Sequence, residues 1–323
     1  MAITTPLTQR LSLDAPIVLA PMAGVSGGRL ATAVSDAGGL GLIGGGYCYR
    51  DWILREMALA DMSRVGIGFI TWRLADQPKL LDEVLEQRPR AVFLSFGDIG
   101  PFARTIKSQG VPLLVQVQTV QGALEAVRAG ADFIVAQGSE AGGHGGSRAT
   151  LPLVPEVKDA VGEVPVLAAG GITDGRGLAA CMMLGATGAV CGTAFYAATE
   201  ALAHPHSKSA AADATGDQTD KTSVFDIARG FDWPKAWQLR ALSNGFSEKW
   251  AGNLATLKAD ELERRRYAEA ADRGDMSVAG TIVGEGVGLV RGIEPAASIL
   301  ELMARAAEDQ LRSASSLLGE PDQ

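Results

Sequence analysis

The chain has 323 residues, of which 47% are hydrophobic and 20% charged, so it can bury a large core and is neither a disulfide-stapled module nor a disordered chain. Its formal net charge of −8 and its lack of long Lys and Arg runs argue against nucleic acid as a partner. The three cysteines, Cys48, Cys181 and Cys191, form no CxxC pair, which argues against disulfides and zinc and favours a cytoplasmic location. No apolar run approaches the roughly 18 residues that cross a bilayer, and no signal-peptide pattern opens the chain, so we expect no membrane insertion.

Short apolar runs bounded by glycine or proline recur along the chain and predict eight strands. These are Pro16–Ala20, Leu40–Ile43, Val65–Ile70, Ala91–Ser95, Leu113–Val117, Phe133–Ala136, Val164–Ala168 and Ala189–Cys191. Most do not alternate polar with apolar residues, which is typical of parallel strands buried on both faces. Amphipathic segments between them predict helices over Gly28–Ala37, Asp51–Met62, Pro78–Gln87, Gly100–Gln109, Val120–Ala129, Pro155–Val161 and Asp174–Leu184. The alternation predicts an α/β protein with a (β/α)8 TIM barrel; the alternative is an open doubly wound sheet, but no GxGxxG follows the first strand.

The character of the sequence changes after the predicted eighth strand. We interpret residues 200–275 as an inserted, mainly helical addition that covers the active-site face, with helical sequence over 231–253. Residues 1–199 and 276–323 then form the barrel, which Glu294–Ser313 closes as a helix. We expect the aromatic residues of the addition to pack it against the barrel rather than to contact a ligand. They are Phe231, Trp233, Trp237, Phe246 and Trp250.

Glycine-rich segments follow the seventh and eighth predicted strands. Gly170-Gly171-Ile172-Thr173 ends one strand, and Gly192-Thr193 ends the other. Barrels of this type bind ligands at the carboxyl ends of the strands, often with a phosphate at these two loops. Free backbone N–H groups ahead of a helix N-terminus would suit a phosphate there, although such glycines could also form simple tight turns.

The loop after the sixth strand is the most unusual part of the sequence. Gln137 to Gly146 contains five glycines and His144, so its backbone can approach a planar ligand with a histidine at the edge. We predict that His144 is catalytic, whereas Glu140 either orients a ligand or caps the following turn. No HExxH, paired-histidine or carboxylate pattern predicts a metal site, and no GxSxG predicts a catalytic serine. The difficult chemistry is therefore assigned to a bound cofactor, and a phosphate-bearing flavin is the natural candidate.

Several motifs in consistent order resemble the nitronate monooxygenase family, formerly called 2-nitropropane dioxygenases. They are Ala20-Pro21-Met22-Ala23-Gly24, the run 33–41, the Gln137–Gly143 loop with His144, Ala169-Gly170-Gly171-Ile172, Gly192-Thr193 and the run 284–289. The resemblance implies a barrel that binds FMN non-covalently and uses O2 to oxidise a small alkyl nitronate to a carbonyl compound and nitrite. It also implies that His144 binds the nitronate or, in members that accept neutral nitroalkanes, removes the α-proton.

The resemblance further implies which residues border FMN. These are Ala20, Pro21, Met22, Gly68, Gln137, Gly142, Gly143, Gly170, Gly171, Val190, Cys191, Gly192 and Thr193. The chain departs from the family at two of these places. Gly68 stands where many members have an asparagine side chain, which puts the flavin-ring environment in doubt, and Val190-Cys191 replaces a Gln-Met pair.

Other functions fit the same motifs. Flavin-dependent enoyl-acyl carrier protein reductases and NADH:quinone reductases are similar to this sequence, and both reduce the flavin with a nicotinamide instead of with the substrate. A flavin-binding protein without activity is a third alternative, which the presence of His144 argues against. Thiol chemistry of the IMP-dehydrogenase kind would need a reactive cysteine on an exposed loop.

Overall fold

The computed structural model describes residues 3–317, and its main feature is a barrel of parallel strands. The strands of this part of the chain are β1 (Ile17–Leu19), β2 (Leu42–Gly46), β3 (Gly66–Ile70), β4 (Val92–Ser95), β5 (Leu113–Val117), β6 (Phe133–Gln137), β7 (Gly143–Gly145), β8 (Val166–Ala169), β9 (Ala189–Cys191), β10 (Thr219–Thr222) and β11 (Gln238–Leu242). Eight of them pair in the order β1-β9-β8-β6-β5-β4-β3-β2, and a bridge between Val18 and Leu40 joins the two edges of this sheet. The predicted (β/α)8 barrel is confirmed.

Side chains alternate between the two surfaces of the barrel wall. On β1, Val18 points to the interior cluster, whereas Ile17 and Leu19 belong to the larger cluster between strands and helices. Phe93 and Phe133 fill the interior, and both are almost fully buried. Apolar residues on both faces of every strand explain why the runs in the sequence are continuous instead of alternating.

Helices surround the barrel and continue into the addition. They are α1 (Pro6–Leu11), α2 (Gly28–Asp36), α3 (Arg50–Met57), α4 (Thr71–Leu74), α5 (Lys79–Glu86), α6 (Gly100–Ser108), α7 (Val120–Ala129), α8 (Thr150–Val161), α9 (Gly175–Met183), α10 (Thr193–Tyr196), α11 (Pro205–Asp213), α12 (Val224–Ala228), α13 (Gly245–Trp250), α14 (Leu254–Ala259), α15 (Glu261–Arg273) and α16 (Ala296–Ser313). α16 packs against α9 and α2, so the chain returns to the barrel after the addition. None of the helices within residues 3–317 combines the length and apolar character needed to cross a membrane.

The addition contains a small sheet that the sequence analysis did not anticipate. β10 pairs with β11, and β11 pairs with β7, all antiparallel. The helical prediction over 231–253 was therefore wrong at 238–242, where a strand precedes α13. Its side chains alternate, with Leu239 and Ala241 buried, because this strand lies between the addition and the loop after β6. This alternation is the signal that would have identified β11.

Candidate active site

A cavity opens at the carboxyl ends of the barrel strands, beneath the addition. Its volume is about 1200 Å³, including the part open to solvent. Of the thirteen residues predicted to border a cofactor, twelve line this cavity: Ala20, Pro21, Met22, Gly68, Gln137, Gly142, Gly143, Gly170, Gly171, Val190, Gly192 and Thr193. Cys191 does not, because its side chain lies in the core between the barrel and the helices, where it is 1% exposed. His144 lines the same cavity.

One end of the cavity offers unpaired hydrogen-bond donors. The backbone N–H groups of Gly171, Ile172, Gly192 and Thr193 donate no hydrogen bond to any residue in the range 3–317. Beside them, the Thr173 hydroxyl is buried and likewise has no partner among these residues. Gly171 is exposed and Gly192 and Thr193 are half-buried, so their N–H groups are open to the cavity, and together with the buried Thr173 hydroxyl they fit a ligand with several acceptor oxygens, such as a phosphate.

The N-terminus of the helix that follows β8 is capped by the chain itself, so the donors left for an anion lie ahead of that helix. At the N-terminus of α9, the Asp174 carboxylate accepts hydrogen bonds from the backbone N–H groups of Arg176 at 2.9 Å and Gly177 at 3.3 Å. A negative charge already occupies the positive end of this helix. The donors that remain for a phosphate are therefore those of the two glycine loops.

Gly68 is a packing requirement in this chain. A Cβ atom added there would lie 2.4 Å from both Cβ and Cγ of Pro21, far inside van der Waals contact. The asparagine that the resemblance leads us to expect at this position would collide with the proline after β1. The small residue lets the ends of β1 and β3 approach each other, and it leaves this part of the cavity wall apolar.

His144 is positioned by the short strand β7, which joins the barrel to the addition. Its backbone pairs with Leu239 of β11. Its carbonyl accepts a hydrogen bond from Gln137 Nε2 at 3.0 Å, and Gln137 Oε1 accepts one from Gln118 Nε2 at 2.8 Å. Gln118 in turn accepts from the Trp237 indole at 3.2 Å. The Gln137 side chain therefore fixes the backbone beside the histidine.

The imidazole ring of His144 has two close partners from the addition. Its Nε2 atom lies 2.8 Å from Asp226 Oδ2, and the two side chains are only 7% and 4% exposed. Trp233 stacks on the ring, with centroids 3.4 Å apart and an interplanar angle of 11°. Burial lowers the pKa of His144 below its usual value, the hydrogen bond and charge of Asp226 oppose this, and Arg229 adds to the lowering. His144 is therefore neutral at pH 7 and able to accept a proton.

Aromatic residues enclose the histidine. Phe96 and Trp233 make an edge contact at 5.2 Å, and the Trp233 indole donates a hydrogen bond to the Tyr47 hydroxyl at 3.1 Å. Phe231 stacks on Tyr47 at 4.0 Å. Phe96 has a left-handed backbone with φ of +61°, a strained conformation for a large side chain, at the carboxyl end of β4. The surroundings of His144 are apolar, which is the cause of its desolvation.

The expectation that the aromatic residues of the addition pack it against the barrel holds for Phe231, which stacks on Tyr47, and for Trp237, which donates to Gln118, but not for the whole set. Phe246 and Trp250 lie in the core of the addition itself. Trp233 instead lines the cavity and contacts the catalytic candidate directly. The difference arises because residues 231–237 lack regular structure and run over the mouth of the barrel.

Glu140 caps a helix. Its carboxylate accepts hydrogen bonds from the backbone N–H of Thr150 at 2.9 and 3.0 Å and from the Thr150 hydroxyl at 2.9 Å. Thr150 is the first residue of α8, so Glu140 satisfies a donor at the N-terminus of that helix. Of the two alternatives from the sequence, the structural one is confirmed.

The cysteines do not form a reactive site. All three are buried, and burial raises the pKa of the Cys48 and Cys181 thiols to about 12. Burial also raises the pKa of Cys191. Thiols with raised pKa values are poor nucleophiles, so the IMP-dehydrogenase-like alternative finds no support in this geometry.

Sequence reasoning missed Asp226 and Arg229, which complete the surroundings of His144. Asp226 is 82 residues away along the chain and lies on α12, and Arg229 Nη2 donates to Asp226 Oδ1 at 2.8 Å. No short motif connects positions so far apart. A local clue was the aspartate and arginine at i and i+3 in an otherwise apolar segment, which is an unusual place for two charges.

Comparisons with known proteins agree with this geometry. A family model for nitronate monooxygenase matches residues 4–65 and 67–304. A nitronate monooxygenase of Metarhizium robertsii is 35% identical over 92% of this chain and 91% of its own. FabK from Thermotoga maritima superposes with a TM-score of 0.85 at 29% identity, covering 98% of this chain and 100% of that one. Nitroalkane oxidase from Streptomyces ansochromogenes gives a TM-score of 0.79 at 28% identity, covering 95% and 99%. The chain therefore belongs to the nitronate monooxygenase family, a family of flavin-dependent oxidoreductases.

Proposed function

We propose that this protein is an FMN-dependent nitronate monooxygenase, which uses O2 to oxidise a small alkyl nitronate to a carbonyl compound and nitrite. The observation that carries the proposal is His144, a neutral and buried histidine at the edge of a cavity whose far end suits a phosphate. The family match over almost the whole chain supports the reaction class.

The described residues fit FMN in a definite way. The unpaired N–H groups of Gly171, Ile172, Gly192 and Thr193 would bind its phosphate, together with the Thr173 hydroxyl. The apolar wall formed by Pro21, Met22 and Gly68 would lie along the ring system. When bound, FMN supplies the electron-transfer chemistry of the reaction.

The side chains of the protein would bind the substrate, orient it and accept its proton. His144 would contact the nitro or nitronate group and its α-carbon, since it lines the cavity beside the aromatic residues and its free-base form can accept a proton. Trp233 and Phe96 would exclude water from this position. The addition, residues 200–275, thereby acts as the cover of the active site.

The experiment is an anaerobic titration of the purified yellow protein, followed by the absorbance of oxidised flavin. An alkyl nitronate should bleach the flavin and NADH should not, and admission of air should then produce nitrite. Rapid bleaching by NADH with no response to the nitronate would contradict the proposal. A colourless protein that FMN cannot reconstitute would contradict the cofactor assignment as well.

An NADH-dependent flavin reductase remains the second candidate, and the similarity to FabK at a TM-score of 0.85 favours it. The two candidates differ in which compound reduces the flavin. If NADH alone is the reductant, enoyl thioesters and quinones become the next substrates to test.

The remaining expectations concern the cellular setting. Three buried free cysteines support a reducing compartment, and we place the enzyme in the cytoplasm. The net charge of −8 supports small molecules, not nucleic acids, as its partners.

A further inference from the structure

We propose that Asp226, anchored by Arg229, is a positioning residue that fixes the proton of His144 on Nε2 and leaves Nδ1 as the proton acceptor facing the substrate. The inference deepens the proposed function and rests on it for the identity of the substrate. It assigns a role to two residues of the addition that lie outside every sequence motif described above.

The two oxygens of Asp226 have separate partners. Oδ2 lies 2.8 Å from His144 Nε2, and Oδ1 accepts a hydrogen bond from Arg229 Nη2 at 2.8 Å. The Asp226 side chain is 4% exposed, so both interactions occur away from bulk water. A carboxylate can only accept hydrogen bonds, and a neutral imidazole carries one proton. Nε2 must therefore be the protonated nitrogen of His144.

The other ring nitrogen faces the cavity. Nδ1 has no hydrogen-bond partner within residues 3–317. It is also not fully buried, because it is absent from the buried, unpaired polar atoms of that range. Because His144 lines the cavity, its remaining accessible atoms lie there. Trp233 covers one face of the ring at 3.4 Å and restricts its rotation. The lone pair of Nδ1 is thus directed at the space where the substrate binds.

This arrangement suits proton removal from a neutral nitroalkane. The Nδ1 lone pair takes the α-proton, the electrons of the broken C–H bond move into the nitro group, and the products are a nitronate anion and an imidazolium. Asp226 then faces a positive ring and stabilises it, as the carboxylate of a catalytic triad does. The other charged group near the ring is Arg229, which pairs with the same carboxylate and opposes the positive ring, so Asp226 is the group that stabilises the imidazolium.

The structure also predicts what an isosteric replacement would do. Arg229 is only a donor, so in Asp226→Asn the amide oxygen must face Arg229 and the amide NH2 must face His144. Nε2 then has to accept, and the proton moves to Nδ1. The variant keeps the shape of the site and reverses the tautomer, which removes the lone pair from the cavity.

The first test reads the tautomer directly and needs no turnover. The chain has three histidines, so ¹⁵N-histidine labelling of the flavin-loaded protein gives three rings, and His144→Ala identifies the one of interest. We expect the Nε2–H tautomer in the wild type and the Nδ1–H tautomer in Asp226→Asn. An Nδ1–H tautomer in the wild type would overturn the proposal, and this result does not depend on whether the variant folds.

The second test separates substrates. Asp226→Asn should lower kcat/KM for a neutral nitroalkane by about 10²-fold or more, the usual contribution of a general base, and should affect a preformed nitronate less. Asp132→Asn is the matched control, since Asp132 pairs with Lys107 on the outside of the barrel and should leave both values unchanged. Equal losses on both substrates would overturn the proposal.

Failure of the proposed function gives a different pattern. If neither nitro compound is turned over, the nitronate monooxygenase activity is refuted, and an Nε2–H tautomer would still support the positioning role. If the nitronate is oxidised but the wild type never abstracts a proton from the nitroalkane, the activity stands and the assignment of Nδ1 as base is overturned.

Discussion

The two sides of the cavity present different kinds of chemical group: backbone N–H groups on one side and side chains on the other. On the barrel side, the phosphate end consists of backbone N–H groups in glycine loops and of small residues. On the side of the addition, Asp226, Arg229 and Trp233 act on His144 through their side chains. Main-chain groups would bind the phosphate that we propose, whereas side chains control the protonation of His144 and access to it. The comparison indicates that the proposed cofactor-binding groups and His144 itself belong to the barrel, whereas the groups that control His144 belong to the addition.

The largest effect is expected from breaking the barrel side alone. At Gly171 the backbone φ is +74°, and an added Cβ would lie 3.3 Å from Glu140 Cβ, so Gly171→Val would strain and displace the loop whose N–H groups form the proposed phosphate site. We expect loss of bound flavin, and with it of all activity, while the protein remains folded. Flavin absorbance per protein and circular dichroism measure the two properties.

Gly110→Val is the matched control for that change. Gly110 has a φ of +68°, so it carries the same backbone strain, but it lies in the turn after α6 with no atom within 4 Å of an added Cβ. Flavin content should stay normal in this variant. If both variants lose flavin equally, backbone strain and not the phosphate site would explain the effect.

Removing His144, the barrel residue on which the addition acts, should leave the flavin in place. His144→Ala should retain FMN and lose turnover by about 10²–10⁴-fold, because it removes the group that contacts the substrate or takes its proton. Steady-state kinetics with flavin content determined in parallel check this. His206→Ala, which changes a ring that interacts with the Gly274 carbonyl, should behave as wild type. Loss of flavin in His144→Ala would instead assign the histidine to cofactor binding.

A smaller effect is expected from the stacked tryptophan. Trp233→Ala removes a ring contact of the kind worth about 0.5–1.5 kcal/mol, which corresponds to at most about tenfold in kcat/KM if the contact serves to orient His144. Trp233→Phe keeps a stacking ring and loses only the hydrogen bond to Tyr47. It should fall between wild type and alanine. Identical kinetics in all three proteins would show that the stack does not orient the histidine.

The smallest expected effect is in the pH profile. Because burial lowers the pKa of His144, its free-base form persists below pH 6.5, so kcat/KM for a neutral nitroalkane should decline only below that pH. The same shift reduces stability in acid, since the unfolded chain takes up a proton near pH 6.5 and the folded one does not. Asp226 opposes the lowering and Arg229 adds to it, but burial is the largest cause, so the midpoint of the decline in the wild type should lie below pH 6.5. A midpoint above 6.5 would contradict this.

The barrel could be predicted because each of its strands is marked by a short apolar run, which is a local feature of the sequence. Runs such as Leu113–Val117 are apolar on both faces and match the observed strand without change. The starts of the helices were harder to predict. Helix α8 begins at Thr150 and not at Pro155, because Glu140 in the loop after β6 caps it there. Pro155 lies inside this helix. The residues that line the barrel side of the cavity follow from the same local motifs.

The other side of the cavity was not predictable, because its contacts are long-range. The strand Gly143–Gly145 is three residues of a glycine-rich loop, and it is a strand only because Gln238–Leu242 lies beside it. The role of Asp226 can be inferred only from its contact with His144, which lies 82 residues away in the sequence. A single sequence carries no record of such a pairing, so His144 could be identified as a candidate while the groups that control it could not.

The pairing of β7 with β11 also has a consequence for the order in which the protein is made. The eight barrel strands are complete once Cys191 has left the ribosome, but the strand that fixes His144 follows at Gln238–Leu242. At roughly 5–20 residues per second, synthesis of the intervening chain takes several seconds. During that time the nascent barrel strands can pair while His144 is still on an unpaired loop. The barrel loops that we propose bind the cofactor are thus synthesised before the strand that positions His144.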